Sequence, residues 1–200
     1  MYKAPKKIVF ASHNHGKYKE MSEILRPFDI DLIFLGDLSN EDIDETGLSF
    51  HENALIKARK ASELCQLPAL GDDSGLCVCA LNNQPGIYSA RYNGIESSFQ
   101  SKMLKLLDEL KNEKDRKAFF VCVLAYVEYF NDPIPKFYEG FWHGLIAHEI
   151  KGTHGFGYDP IFFDPDHDLC VGEMDAAMKI QLSHRAKATH LFIQQWQCQS

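Results

Sequence analysis

Long apolar runs are missing from this chain. No stretch of about 18 apolar residues occurs, so the sequence offers no hydrophobic membrane-spanning helix. The start, Met1-Tyr2-Lys3-Ala4-Pro5-Lys6-Lys7, is basic but leads into only a short apolar run, unlike a secretory leader. No basic patch stands out and the formal net charge is −7, so a grip on a nucleic-acid polymer is not expected. Cys65, Cys77, Cys79, Cys122, Cys170 and Cys198 form no C-x-x-C pair, which argues against a zinc ribbon or a thioredoxin-type site. The nine histidines show no H-E-x-x-H spacing. No internal repeat, low-complexity tract or linker breaks residues 1–200, which read as a single domain with two lobes. The expectation is a cytoplasmic protein that does not bind membranes.

What is present is ordinary globular material, 45% hydrophobic and 24% charged. Ile8-Val9-Phe10-Ala11 reads as a buried strand. A helix follows with Tyr18, Met21, Ile24 and Leu25 on one face, ended by Pro27; Leu32–Leu35 reads as a second strand. Strand, helix, strand predicts an α/β protein. Ser49 and Glu52 predict a capping box for a helix to about Leu64. Leu76–Leu81 reads as a strand, and Cys77 and Cys79, two apart, as thiols on one face, buried or half-buried. Met103, Leu104, Leu107 and Leu110 mark a helix. Ala118–Phe130 reads as a long strand, Lys136–Trp142 as its hairpin partner, Gly144–His148 as a further strand, and Ser183–Trp196 as the last helix.

The residues that suggest chemistry begin with Gly71-Asp72-Asp73-Ser74-Gly75, read as an acidic pair at a strand end followed by a turn. Adjacent carboxylates raise each other's pKa, and a divalent cation such as Mg²⁺ offsets that cost. The same residues also suit a solvated turn. Ser12-His13-Asn14-His15-Gly16-Lys17 lies between the first strand and first helix, where loop amides and a helix N-terminus can hold phosphate. It is not a Walker A loop, because Ala11 stands at the first glycine and Tyr18 at the Ser or Thr. The acidic loop around Asp44-Glu45 precedes Lys57, a pattern that also fits a solvated loop and helix face. Lys179, Ser183, His184 and Arg185 gather donors near the last helix. In Gly155-Phe156-Gly157-Tyr158-Asp159 the aromatics alternate with glycines, which let a flat ligand approach the backbone.

Six segments in order resemble the inosine triphosphate pyrophosphatases, also called non-standard purine nucleoside triphosphate pyrophosphatases or Ham1-like proteins. They are Ala11–Glu20, Glu45–Ala54, Asp72–Leu76, Pro85–Tyr92, Gly155–Pro160 and Ser183–Ala188. The resemblance covers nearly the whole chain. It implies an elongated α/β fold with a long mixed β-sheet, flanking helices and two lobes around a central cleft, in a homodimer. It implies Mg²⁺-dependent hydrolysis of ITP, dITP and XTP to the monophosphate and pyrophosphate, cleaning the nucleotide pool. By position, Asp73 matches the catalytic carboxylate, and Asp44 or Glu45 with Asp73 the metal region. Ser12, His13, Asn14, His15, Gly16, Lys17, Lys57 and Ser74 match the phosphate side. Phe156, Gly157, Tyr158, Asp159, Lys179, His184 and Arg185 match the nucleoside side.

Cys77, Cys79 and Asn83 depart from residues common in that family, and His13, His15 and His154 stand within or beside its loops. None removes a motif residue. Two rival readings remain: a Maf-type pyrophosphatase acting on pyrimidine or modified nucleotides, and a non-catalytic nucleotide-binding module.

Overall fold

The computed structural model describes residues 7–28, 30–39 and 41–199. The basic start at residues 1–6 lies outside them. The fold is mixed α/β, with an eight-stranded sheet and flanking helices.

The β-branched and aromatic run Lys7–Ala11 forms β1, which pairs in parallel with β2 (Asp31–Phe34) and with β3 (Ala69–Val78). Between β1 and β2 runs α1 (His15–Leu25), and between β2 and β3 runs α2 (Phe50–Cys65). The short β4 (Gln84–Pro85) pairs antiparallel with β3. Then come α3 (Phe99–Glu109), β5 (Lys117–Val127), β6 (Lys136–Ile146), β7 (Phe162–Asp164), β8 (Leu169–Cys170), α4 (Ala176–Leu182) and α5 (His184–Gln199). Sheet order is β2-β1-β3-β5-β6-β7-β8, with β4 off that path on β3. Both β6–β7 and β7–β8 are antiparallel.

The chain folds into two compact units. The first comprises residues 1–73, 122–140 and 184–200 and holds β1, β2, α1, α2 and α5. Ile8, Val9 and Phe10 are fully buried there, and α1 packs against α5. The second comprises residues 74–121 and 141–183. Its core gathers Leu76, Val78, Leu106, Phe120, Trp142, Ile161 and Phe162. Among the described residues, no helix is long and apolar enough to cross a membrane.

The predicted Ser49–Glu52 pair caps α2, with the Glu52 carboxylate reaching the Leu48 N–H instead of the Ser49 N–H, and Asn14 adds a cap on α1 beyond that expectation. Ser49 accepts a hydrogen bond from the Glu52 N–H, and Glu52 Oε2 accepts from the Leu48 N–H and the Ser49 hydroxyl. Asn14 caps α1 by accepting from the Lys17 N–H at 3.1 Å.

Several elements differ from the sequence expectation. Asp72-Asp73 is not a strand end followed by a turn: β3 runs unbroken from Ala69 to Val78. The glycines that resemble turn residues serve close packing instead. A Cβ on Gly71 would collide with the Ala54 carbonyl and lie 2.8 Å from the Ala58 nitrogen, so the glycine lets α2 lie directly on the strand. A Cβ on Gly75 would collide with the Gly86 carbonyl and lie 2.6 Å from Ser89 Oγ. Lys136–Trp142 and Gly144–His148 are not two strands but one, β6. Gly144 sits within it because a Cβ there would lie 2.5 Å from the Phe163 carbonyl oxygen. Cys77 is buried in β3, whereas Cys79 is exposed in the 3₁₀ turn Cys79–Leu81, so the two thiols do not form one buried face. The strand ends at Val78, before the period of two can apply to both. The helical segment Ala176–Leu182 is a separate element before α5, capped by Asp175, which accepts from the Met178 N–H.

Candidate active site

The first unit concentrates charge around β3. The period of a strand sends the side chains of neighbouring residues to opposite faces, and the partners of Asp72 and Asp73 differ accordingly. Asp72 Oδ1 accepts from Lys17 Nζ at 2.6 Å, and Oδ2 accepts from Arg185 Nε at 2.7 Å. The Cys122 thiol lies 3.6 Å from Oδ2. Arg185, 1% exposed, also pairs with Glu20. Burial alone would raise the Asp72 carboxyl. The charges and hydrogen bonds of Arg185 and Lys17 outweigh it and hold this group well below the usual carboxylate range. Burial and the Asp72 charge together push the Cys122 thiol well up, so it stays protonated.

Asp73 has a different environment. Its Oδ1 accepts from Lys57 Nζ at 2.8 Å and its Oδ2 from Asn53 Nδ2 at 3.3 Å. Lys57 Nζ also bonds the Asp72 carbonyl at 3.1 Å and Glu45 Oε1 at 2.5 Å. Burial raises the Asp73 carboxyl above its usual range. Lys57 and Lys17 oppose the rise, and the Glu45 charge adds to it. Lys57 is pushed the other way. Burial lowers it, but the Asp73 and Glu45 carboxylates together lift it above its ordinary value. One ammonium therefore serves two carboxylates, which keeps Lys57 charged and leaves Asp73 the more basic of the two aspartates.

Among the described residues, the ion pairs of the cluster join Lys17, Lys57 and Arg185 to Glu20, Glu45, Asp72 and Asp73. The Glu45 and Asp73 carboxylates converge on a single cation, and both are hard oxygen donors. Among the described residues no group of three or more His, Cys, Asp or Glu is placed to hold a metal ion, so these two carboxylates would need substrate phosphates to complete a Mg²⁺ shell. Asp44 is exposed, so of the two loop acids it is Glu45 that reaches Asp73's neighbourhood.

The loop before α1 is open. Ser12 Oγ accepts from the Asn14 N–H at 3.1 Å, His13 Nε2 lies 2.9 Å from the Ser39 carbonyl, and the His15 ring packs on Phe34. Gly16 and Lys17 lie in the first turns of α1, and Ser74 is half-buried in β3.

The second unit holds the aromatic loop. Gly155 and Gly157 take positive φ, 76° and 68°, which glycine adopts without strain. Asp159 Oδ2 accepts from the Phe156 N–H at 2.8 Å and from Lys179 Nζ at 2.6 Å. The Lys179 ammonium stands 4.2 Å from the centre of the half-buried Phe156 ring. Tyr158 is 2% exposed, edge-on to Phe99, and donates its hydroxyl to the Ser89 carbonyl at 2.9 Å. It belongs to the core of that unit.

The structure thus joins Lys17, Lys57, Glu45 and Asp73 into one neighbourhood, and Phe156, Asp159 and Lys179 into another. Arg185 joins the first set, as the counter-ion of Asp72. His184, 5% exposed, opens α5 beside it. Sequence reasoning missed Glu20, Asn53 and Cys122 as members of the cluster. Two of them carried a usable signal. Glu20 lies three residues after Lys17 on α1, and Asn53 four before Lys57 on α2, so each shares a helix face with a residue already singled out.

These features define a mixed α/β protein whose sheet carries a buried, oxygen-rich cluster of mixed charge. The chain belongs to the Ham1 family, whose profile matches residues 8–195. It is 45% identical over 189 residues to a dITP/XTP pyrophosphatase of Shigella flexneri, covering 94% of this chain and 96% of that one. Identity to the dITP/XTP pyrophosphatase of Escherichia coli strain K12 is 44%, with the same coverage. Its structure is similar to that of a HAM1 protein from Coxiella burnetii, with TM-score 0.90 at 44% identity over 96% of this chain and 99% of the other. The Ham1 protein of Staphylococcus aureus matches with TM-score 0.87 at 39% identity, over 98% and 100% of the two chains.

Proposed function

We propose that this chain hydrolyses non-standard purine nucleoside triphosphates (dITP, XTP and ITP) at the α–β bond, releasing the monophosphate and pyrophosphate. The observation that carries the reading is the unequal pair on β3. Asp72 is neutralised by Lys17 and Arg185, while Asp73 keeps a raised carboxyl and shares Lys57 with Glu45. The relatives named dITP/XTP pyrophosphatases support the substrate class.

In this mechanism Asp73 accepts a proton from a water that attacks the α-phosphorus. The new P–O bond forms as the bond to the bridging oxygen breaks, and pyrophosphate departs with that oxygen. Lys17, Lys57 and the amides of the Ser12–Gly16 loop hold the phosphates and stabilise charge growing on the leaving group. Glu45 and Asp73 would hold Mg²⁺, which when bound neutralises phosphate charge and orients the triphosphate. Phe156 offers a ring face to the base, with the backbone at Gly157 close to it. Lys179 supplies a donor for the 6-carbonyl of hypoxanthine or xanthine, oriented by Asp159. Tyr158 braces this loop from the core. The reading carries with it one domain, a homodimer and a cytoplasmic place of work, where free nucleotides are found.

The test is product identity. With ITP and Mg²⁺ the products should be IMP and pyrophosphate, and kcat/KM should exceed that for ATP and GTP by at least about 10²-fold. IDP with orthophosphate, or equal turnover of ATP, would overturn the proposal.

A further inference from the structure

Asn53 is fully buried on α2, and each end of its amide meets a group that fixes its orientation. Its Oδ1 accepts from the Gly47 N–H at 2.8 Å, and its Nδ2 donates to Asp73 Oδ2 at 3.3 Å. A backbone N–H can only donate and an ionised carboxylate can only accept. A flipped amide would therefore set donor against donor and acceptor against acceptor. The approach is close as well as oriented. A Cβ on Gly47 would lie 2.7 Å from Asn53 Oδ1 and 2.6 Å from Glu52 Cβ, so only glycine lets the loop seat against the helix.

Gly47 ends the acidic loop that carries Glu45. The loop and β3 are thus tied twice to one face of α2. Lys57 bridges Glu45 and Asp73 through charge, and Asn53, one turn earlier, bridges Gly47 and Asp73 through its amide. The two ties differ in kind. The Lys57 ammonium is a rotatable point charge that can swing toward an arriving phosphate. The Asn53 amide is held at both ends and uncharged, so an incoming anion gives it no reason to move. It also leaves Asp73 Oδ1 to Lys57 by occupying Oδ2.

We infer that Asn53 is a positioning residue, which holds the Glu45 loop and the Asp73 carboxylate in fixed relation while Lys57 engages phosphate. Only the kinetic arm of its test rests on the proposed pyrophosphatase activity. Asn53→Asp keeps the size and the acceptor for Gly47 but has no donor for Asp73. Asn53→Ala removes both bonds. In Asn53→Asp, kcat for ITP should fall by about 10-fold or more while KM stays within about 3-fold, as expected when a reacting group is misplaced but binding is spared. Hydrogen exchange at the Gly47 amide should stay near wild type in Asn53→Asp and quicken by about 10-fold or more in Asn53→Ala. A wild-type kcat in Asn53→Asp, or unchanged Gly47 exchange in Asn53→Ala, overturns the inference. Should Asn53→Ala fail to fold, Gly47→Ala replaces it: the added Cβ must displace the amide, and a wild-type kcat there overturns the inference equally. If the wild-type protein itself does not convert ITP to IMP, the activity proposed above fails, and the exchange pattern alone judges the role of Asn53.

Discussion

Replacing Arg185 by methionine separates two roles that the sequence left joined. The resemblance puts this residue on the nucleoside side, where its loss would blur the choice of base. The structure instead buries it against Asp72, with side chains 1% and 0% exposed. Arg185→Met keeps much of the volume and removes the charge. Asp72 would then remain buried without its Arg185 counter-ion, and breaking such a pair from one side costs about 3–5 kcal/mol. For a chain of this length each kcal/mol lowers Tm by about 2–4 °C, so the melting temperature should fall by about 6–20 °C. The double variant Arg185→Met with Asp72→Asn should recover at least about 1 kcal/mol relative to the sum of the single losses, because position 72 then buries no charge beside the missing guanidinium. The sign with pH follows from Asp72. Its folded carboxyl lies below the unfolded value of 3.8, so its contribution is present above that pH and fades as pH falls toward the folded value. The gap between wild type and Arg185→Met should therefore be widest near neutrality and narrow in acid. Calorimetry at pH 7 and denaturant titration down the acid limb would measure both effects. A Tm within about 2 °C of wild type, together with a collapse of ITP-over-GTP discrimination, would refute this reasoning and return Arg185 to the base.

Asp73→Asn should lower kcat for ITP by about 10²-fold or more, since an amide cannot take the proton from water. Its Tm should hold, because no buried anion is left bare, and wild-type turnover would remove Asp73 from the chemistry. Lys179→Met should narrow the preference for ITP over ATP by about 10-fold, the scale of one lost buried donor. An unchanged preference in a steady-state substrate panel would remove Lys179 from base reading.

The parts of this fold visible in the sequence are those set by local physics. Ser49 with Glu52 announced α2 because capping is decided within one turn. The Ile8–Ala11 run announced β1 because a strand buried on both faces must be apolar throughout. What misled was residue chemistry with two uses. Glycine serves turns and also close approaches, and at Gly71 and Gly75 the second use applies: a helix and a neighbouring segment occupy the space of a Cβ. Nothing local marks that difference. The site was legible in the same uneven way. Lys17, Lys57, Glu45 and Asp73 came from the resemblance and lie together, while Glu20 reaches Arg185, and Cys122 reaches Asp72, only through tertiary structure. Arg185 lies 113 residues along the chain from Asp72, and no spacing rule connects them.

The adjacent aspartates show most clearly why a motif needs its backbone. Read as neighbours at a turn, Asp72 and Asp73 repel and require a shared cation. Placed within a continuous strand, they face opposite ways, and each receives its own counter-charge. Asp72 is compensated by two cations from α1 and α5, which fixes it as an anion and leaves it no reason to exchange protons. Asp73 is compensated by one ammonium that Glu45 also claims, so it retains basicity and an incomplete share of positive charge. A permanently charged residue suits holding Lys17 in place at the loop before α1. An under-compensated one suits receiving a cation and a proton. In the proposed mechanism one strand step therefore divides structural anchoring from chemistry, and Gly71 and Gly75 let β3 continue straight through the acidic pair.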